Sequence, residues 1–327
     1  MGPGHFKRYP TGPVLMLFGE YHFHGVLEDE AILPPFKGST FRGVFGWALK
    51  EVVCALKRQE CPTCLLRRQC VYTQVFESPP EVQPQGAPPP PHPFVIEPPL
   101  DSRTQLAAGE HFDFTLLLFG PATQYLPYFV YAFQAMGKRG IGRQVQGRRA
   151  RFRLLTVSSP TAGRVYSQED NILLSGGTVH LHLDGSDHAA QSSGELTLTL
   201  LTPLRLKFQN HLQAELPFHV LVRACLRRVS LLFTCFGEGE PRLDYKGLII
   251  RAQEVPILRS SLRWFDWQRY SQRQDQAMLM GGLVGSIIYQ GNLGEYAPLL
   301  RFAEKVHLGK ATTFGLGKVR LSTAPAA

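Results

Sequence analysis

The sequence predicts an α+β protein built twice on one plan, and three observations carry that reading. Each half follows the same succession of strand, helix, strand, strand, helix, strand. Each half places a glycine-rich, basic loop just ahead of its last strand. Between the halves, residues 158–193 are polar and turn-rich, with Ser-Gly-Gly at 175–177 and Asp-Gly-Ser-Asp at 184–187. At 327 residues the chain is long enough for two domains, each with its own core.

Residues 13–24 read as a strand, and because side chains two apart share a face, His22 and His24 point the same way. After a Pro34-Pro35 loop, Ser39 or Thr40 can cap a helix running to about Cys54. Its apolar positions Phe41, Val44, Phe45, Ala48, Leu49 and Val52 keep helical spacing. A cysteine module follows, then a proline-dominated stretch, 79–93, that reads as an extended connector. Residues 94–96 and 112–119 are strands. Residues 125–136 form an apolar helix with Pro127 in its first turn. A basic loop around Gly140 and Gly142 leads into a strand at 150–157, and a short strand is predicted at 178–183.

In the second half, 195–208 alternates Leu and Thr as a strand bent at Pro203. Residues 218–236 form a helix with a basic face of Arg223, Arg227 and Arg228. A connector at 237–258 precedes strands near 261–270 and 278–289, a helix at 296–306, a glycine loop and a last strand at 318–322. Each half has the split βαβ pattern of a ferredoxin-like (RRM-like) domain. The expected division is 1–160, carrying a Cys-rich insert at 54–93, then a linker at 161–194, then 195–327.

The second glycine loop, His307-Leu-Gly-Lys-Ala-Thr-Thr-Phe-Gly-Leu-Gly-Lys318, holds no acid. Glycine lets backbone approach a ligand closely, and successive N–H groups in such turns form anion-binding concavities. Helix–glycines–strand is the reverse of a P-loop or dinucleotide fingerprint, so a nucleotide cofactor is disfavoured and a nucleic-acid backbone fits better. The net charge of +9 and pI near 9.3 agree with a polyanionic partner. Basic residues bunch at 138–153 (Lys138, Arg139, Arg143, Arg148, Arg149, Arg151, Arg153), and aromatic and basic residues alternate at 259–273. Bases stacked on aromatic faces beside guanidinium groups are how single strands are held.

Four of the six cysteines, Cys54, Cys61, Cys64 and Cys70, lie within 17 residues. In a reducing compartment such thiols hold metal more readily than they form disulfides, which predicts a closed, structural zinc site. Cys225 and Cys235 sit in an apolar helical run and read as core. The apolar run 14–18 is too short for a signal peptide or a membrane span, so a cytoplasmic protein is expected.

Several stretches resemble the repeat-associated (RAMP) proteins of CRISPR systems, and among them the pre-crRNA-processing endoribonucleases. They are Phe36-Lys-Gly-Ser-Thr-Phe-Arg-Gly-Val-Phe-Gly46, residues 264–274, Gly281-Gly-Leu-Val-Gly285 and, above all, residues 307–317. The cysteine insert and proline connector also look like a branch of that family. The resemblance implies binding of CRISPR repeat RNA, possible association with other CRISPR-associated subunits, and one cut without a catalytic metal. In such a cut a ribose 2′-OH attacks the adjacent phosphate and leaves a 2′,3′-cyclic phosphate. The alternative is a non-catalytic RAMP subunit that holds guide RNA within an interference complex.

For the chemistry, His307 with Lys310 is the first choice, because both flank the loop where phosphate should pass; histidine serves as acid or base, and lysine stabilises charge. The family often has a histidine on or beside the first helix. Here 39–54 contains none, which leaves His22 or His24 as substitutes, or a site using Tyr270 with Arg273. RNA contacts are expected from Arg42, Lys37, Lys138, Arg139, Arg143, Arg148, Arg269, Arg273, Thr312, Thr313, Phe314, Gly315, Gly317 and Lys318. A metal-dependent nuclease is disfavoured, since Asp170, Asp184 and Asp187 fall in the connector rather than on strands.

Overall fold

Strand Leu15–Leu27, thirteen residues long, organises the first half. Its alternation sends Tyr21 and Phe23 to one face, beneath two helices, and Met16, Phe18, His22 and His24 to the other. The structure is a computed structural model describing residues 13–57, 59–77, 90–183, 193–208, 211–212, 214–271 and 276–323. Helix α1 (Gly38–Val53) buries Phe41, Val44, Phe45, Ala48 and Leu49, the stripe its spacing predicts. Helix α2 (Leu126–Arg139) starts with Pro127 in its first turn, where a missing N–H costs nothing, and buries Phe129, Val130, Phe133 and Met136. The two helices meet over the sheet, with the Phe45 and Phe133 rings stacked at 4.5 Å. Each such buried ring contributes roughly 1.5–3 kcal/mol.

The first sheet is antiparallel throughout. Phe152–Ser159 pairs with Leu15–Leu27, which pairs with His111–Phe119, which pairs with Phe94–Glu97. Numbered along the repeat, that order is fourth, first, third, second. In the second half Ser193–Leu204 lies between Gln276–Asn292 and Val319–Thr323, and both Ile257–Ser260 and Arg263–Ser271 pair along Gln276–Asn292. The order is again fourth, first, third, second, backed by α3 (Phe218–Phe236) and α5 (Ala297–Val306). Both halves are therefore ferredoxin-like, as the pattern predicts.

Three stretches read as connection carry structure of their own. Within 161–194, expected to be linker, Gly163–Ser167 and Ile172–Leu173 extend the first sheet, and Thr178–His182 pairs with the start of Leu15–Leu27. Thr178–His182 is the short strand predicted at 178–183; the other two are two and five residues long and set among turn residues, so their alternation is too brief to stand out. Residues 237–258 hold helix α4 (Tyr245–Ala252), capped by Asp244, whose carboxylate accepts from the Gly247 N–H at 2.9 Å. The basic loop folds as a hairpin, Ile141–Val145 with Arg148–Ala150, turned through Gln146 and Gly147 at positive φ. Most of the proline-rich run, 78–89, lies outside the described residues. Among those described, no helix is long and apolar enough to cross a membrane.

The halves share a core. Met16, Phe18, Val95, Leu117 and Phe119 of the first sheet pack in one cluster with Leu221, Cys225, Val229, Phe302 and Val306 of the second half. One end of the open face of the first sheet is thereby covered, and the end bearing His22 and His24 is not.

Candidate functional site

The glycine loop sits in the seam. His307 ends α5 with φ of 60°, a backbone conformation costing on the order of 1–3 kcal/mol in a residue with a side chain. Its ring is fully buried, with Nδ1 2.9 Å from the Leu316 carbonyl and Nε2 2.6 Å from Glu97 Oε1. Both partners are acceptors, so each ring nitrogen donates. The second Glu97 oxygen accepts from Lys318 Nζ at 2.5 Å. Burial alone would raise the Glu97 carboxyl; the His307 hydrogen bond and charge, with Lys318 added, outweigh it and hold the group at about 2.

His307 is thus a buried donor at both nitrogens, with no lone pair for a ribose proton and no path to RNA. The expected catalytic role of His307 is corrected to a structural one. Lys318 joins it in the seam rather than on a phosphate. The loop sequence could not reveal this, because the partner carboxylate lies 210 positions away.

Close approach explains the glycines. A Cβ on Gly315, at φ of 78°, would stand 2.4 Å from Pro98 Cδ and 2.8 Å from the Ile96 carbonyl. A Cβ on Gly38 would lie 1.9 Å from the Phe314 carbonyl. Thr313, Phe314, Gly315 and Gly317 are buried, and the N–H groups of Phe314, Gly315 and Gly317 donate to the carbonyls of Ala311, Thr312 and Pro203. Phe314, Gly315 and Gly317 do not present themselves to RNA as expected, whereas Thr313 also lines the furrow beside the loop. Arg42 lies over the rings of Phe76 and Phe314, at 4.6 and 5.2 Å, which commits it to the seam. Lys37 is buried and donates to the Asp101 carbonyl.

The exposed edge of the loop keeps its expected setting. Gly309, Lys310, Ala311 and Thr312 border a furrow of about 940 Å³ between the halves. Its walls bring Arg205, Lys207, Arg223 and Arg227 together with His92 of the first half, with Glu240 the acid among them. Beneath, Arg228 is buried and donates to the Val306 carbonyl at 3.1 and 2.8 Å, capping α5. Burial pulls its guanidinium down to about 10. The furrow is cationic and two-sided, as a bound polyanion requires.

A second cluster occupies the open face of the first sheet. His24 Nδ1 lies 2.7 Å from Asp113 Oδ1, and His24 Nε2 lies 2.9 Å from His111 Nδ1, the two rings stacked at 5.0 Å. The carboxylate fixes the proton on His24 Nδ1, so in the neutral ring Nε2 carries the lone pair. His22, its side chain 46% exposed, has Nδ1 3.1 Å from Thr115 Oγ1 and Nε2 3.3 Å from Glu20 Oε1. The Glu20 hydrogen bond raises the His22 imidazole above its ordinary value. Glu97 and Lys318 also act on it electrostatically, which sets His22 near the base of the loop. His22 and His24 are placed together, as predicted. His111 and Asp113 were missed, although the alternation of 111–114 (His, Phe, Asp, Phe) signals a strand with its polar face out.

The remaining candidates lie elsewhere. Lys138, Arg139, Arg143 and Arg148 cluster at α2 and its hairpin, on the helical side of the first sheet. The cluster is not free of acids in space: Arg139 pairs with Glu51 at 2.9 Å, Arg151 with Asp29 at 3.0 Å and Arg153 with Glu28 at 3.2 Å. Arg269 and Tyr270 lie on strand Arg263–Ser271, opposite Met278 and Ala277. Arg273 falls outside the described residues. Within 259–267, Trp267 packs edge-on against Phe36 of the first half at 5.5 Å, so part of that aromatic run joins the halves.

Cys54, Cys61, Cys64 and Cys70 are half-buried free thiols. Among the described residues, no three of His, Cys, Asp or Glu gather closely enough to hold a metal ion. The Cys61–Thr63 turn closes on itself through the Cys64 N–H to the Cys61 carbonyl. The four thiols as placed do not fit the structural zinc that their spacing predicts.

Comparisons with known proteins agree with this architecture. Residues 15–178 match a family model described as an N-terminal domain, AF_1859_N, and residues 198–319 match the CRISPR-associated endoribonuclease Cas6. An uncharacterized protein of Archaeoglobus fulgidus is 26% identical over 309 residues, 94% of this chain and 95% of its own. A partial Cas6-RT-Cas1–Cas2 complex superposes with a TM-score of 0.56 at 13% identity, covering 96% of this chain and 47% of that one, so this chain spans about half its length. Thermus thermophilus Cas6 superposes at 0.52 with 13% identity, covering 96% of this chain and all of that one. With one model over the first half, the endoribonuclease model over the second and the tandem ferredoxin-like fold common to both structures, residues 198–319 belong to the Cas6 family of CRISPR-associated endoribonucleases, within a chain that has the Cas6 fold throughout.

Proposed function

We propose that this protein cuts CRISPR repeat precursor RNA by metal-independent attack of a ribose 2′-OH, leaving a 2′,3′-cyclic phosphate, with the histidines of the open sheet face as acid and base. The pairing of His24 with Asp113 beside His22 carries this reading. His24, oriented by Asp113, takes the ribose proton at Nε2, the nitrogen that His111 occupies when no RNA is bound. The freed oxygen attacks the adjacent phosphorus, and the P–O5′ bond breaks. His22, its imidazole raised by the Glu20 hydrogen bond, gives a proton to the departing 5′-oxygen. The two histidines are one strand repeat apart, roughly 7 Å, a span that brackets a phosphodiester.

The cationic furrow holds the RNA backbone, positioning it without reading sequence. That furrow alone would serve a non-catalytic RAMP subunit holding guide RNA within a larger assembly, and association with other CRISPR-associated subunits is compatible with either role. One assay separates them. Purified protein is incubated with repeat RNA in EDTA and the product ends are analysed. A single cut ending in a cyclic phosphate is expected; binding with no product would leave the scaffold role.

A further inference from the structure

The basic cluster on the far side of the first sheet is not used by the mechanism above. There the C-terminal turn of α2 and the hairpin 141–150 enclose, with α1, a pocket of about 670 Å³. That size lies within the usual range for ligand pockets, about 300–1,000 Å³. Trp47 of α1 stands at its mouth with 51% of its surface exposed, an unusual position for the largest apolar side chain. Lys138, Arg139, Arg148, Arg149 and Arg151 line it. Arg139 and Arg151 are held by Glu51 and Asp29, which fixes the walls. Arg148 acts electrostatically on Asp29 without a close contact, and among the described residues no ion pair is seen for Lys138 or Arg149.

The pocket is built rather than incidental. Gly140 ends α2 at φ of 84°, and a Cβ there would stand 2.7 Å from the Arg149 carbonyl, so glycine lets the helix end nest on the hairpin. The tight turn through Gln146 and Gly147 brings Arg148 and Arg149 back toward the helix terminus. Beyond Lys138, the outer face of α2 exposes Tyr131 and Tyr128, at 57% and 45%. An exposed indole beside a cluster of cations, continued by a stripe of exposed tyrosines, is the arrangement that stacks bases and neutralises phosphates of a single strand. It is ill-suited to an A-form duplex, whose bases are not available for stacking.

We propose that this pocket is a second RNA site, which takes an unpaired nucleotide on Trp47 with its phosphates against Arg148, Arg149 and Lys138. His22 and His24 lie on the opposite face of the same sheet, so the strand held here is one flanking the segment being cut. The choice of RNA rests on the proposed function; the existence of a stacking site on Trp47 does not.

The test uses the full chain and a twelve-nucleotide oligouridylate carrying 5-iodouridine. Photo-crosslinking followed by peptide mapping should give an adduct on Trp47. With a fluorescent oligouridylate, Trp47→Ala should weaken binding by about fivefold or more, as loss of one stacked base does, and Trp47→Phe should restore most of it. Thermal melting of Trp47→Ala should match the wild type. Adducts confined to the inter-half furrow, or a Trp47→Ala protein that binds as tightly as wild type, would overturn the proposal. Repeat cleavage is read separately. Cleavage without a Trp47 effect removes the outer site alone, and a Trp47 effect without cleavage removes the nuclease reading alone.

Discussion

At the scale of single residues, the burial of Glu97 decides most. Its carboxyl, ordinarily near 4.5, is held at about 2 in the folded protein, so it is a depressed acid. A depressed acid stabilises the fold above its unfolded value and stops doing so as pH falls through its folded value. Seam stability should therefore be complete above about pH 4.5 and decline toward pH 2, by on the order of 3 kcal/mol from this group. Glu97→Gln should cost about 3–5 kcal/mol at neutral pH, because buried His307 and Lys318 lose the carboxylate they share. Denaturant titration of both proteins against pH checks this; a Glu97→Gln protein as stable as wild type would refute it.

Glu20 offers a second test at the same scale. Its carboxylate raises His22, the acid of the proposed cut, and an acid must be protonated to act. Glu20→Gln should shift the alkaline limb of the pH–rate profile to lower pH while leaving the acid limb in place. An unmoved alkaline limb would detach His22 from proton donation.

At the scale of elements, the seam depends on backbone contacts that admit no side chain. Gly38→Ala forces its methyl against the Phe314 carbonyl and should destabilise the protein by about 1–3 kcal/mol, read as a lower melting temperature. Loss of RNA cleavage in step with that melting would show that α1, the loop and strand Phe94–Glu97 act as one unit. A melting temperature equal to wild type would deny the packing.

Elements are also where the sequence was most legible. The helical stripe from Phe41 to Leu49 and the Leu/Thr alternation around 196–200 depend on nearest-neighbour periodicity, which one chain displays openly. The repeated order of elements followed from those signals and gave the tandem fold. The strands Gly163–Ser167 and Ile172–Leu173 did not show, being too short to establish a period. The site was legible only in part, for a related reason. His22 and His24 declare a shared face by their spacing, yet their partners arrive from strand His111–Phe119, some ninety positions on. His307 looked catalytic because it flanks the loop where phosphate should pass; the carboxylate that claims it belongs to the other half.

For the whole molecule, two ferredoxin-like halves share a core on one side of the glycine loop and leave a cationic furrow on the other. The loop touches both regions: Gly309 to Thr312 edge the furrow, and Lys318 lies within electrostatic reach of His22. The loop is therefore a wall between binding and chemistry. If phosphate contacts in the furrow dominate affinity, Lys310→Ala with Arg227→Ala should weaken RNA binding and flatten its salt dependence, the slope falling by roughly 0.7 for each lost contact. A slope equal to that of wild type would move the RNA off the furrow.

The most direct measurement is the single-turnover rate at which a His24→Ala protein cuts repeat RNA in EDTA, with binding followed in parallel. The account predicts a rate lower by about 100-fold or more at unchanged affinity, the loss expected of a missing general base. A His24→Ala protein that cuts at the wild-type rate would contradict it.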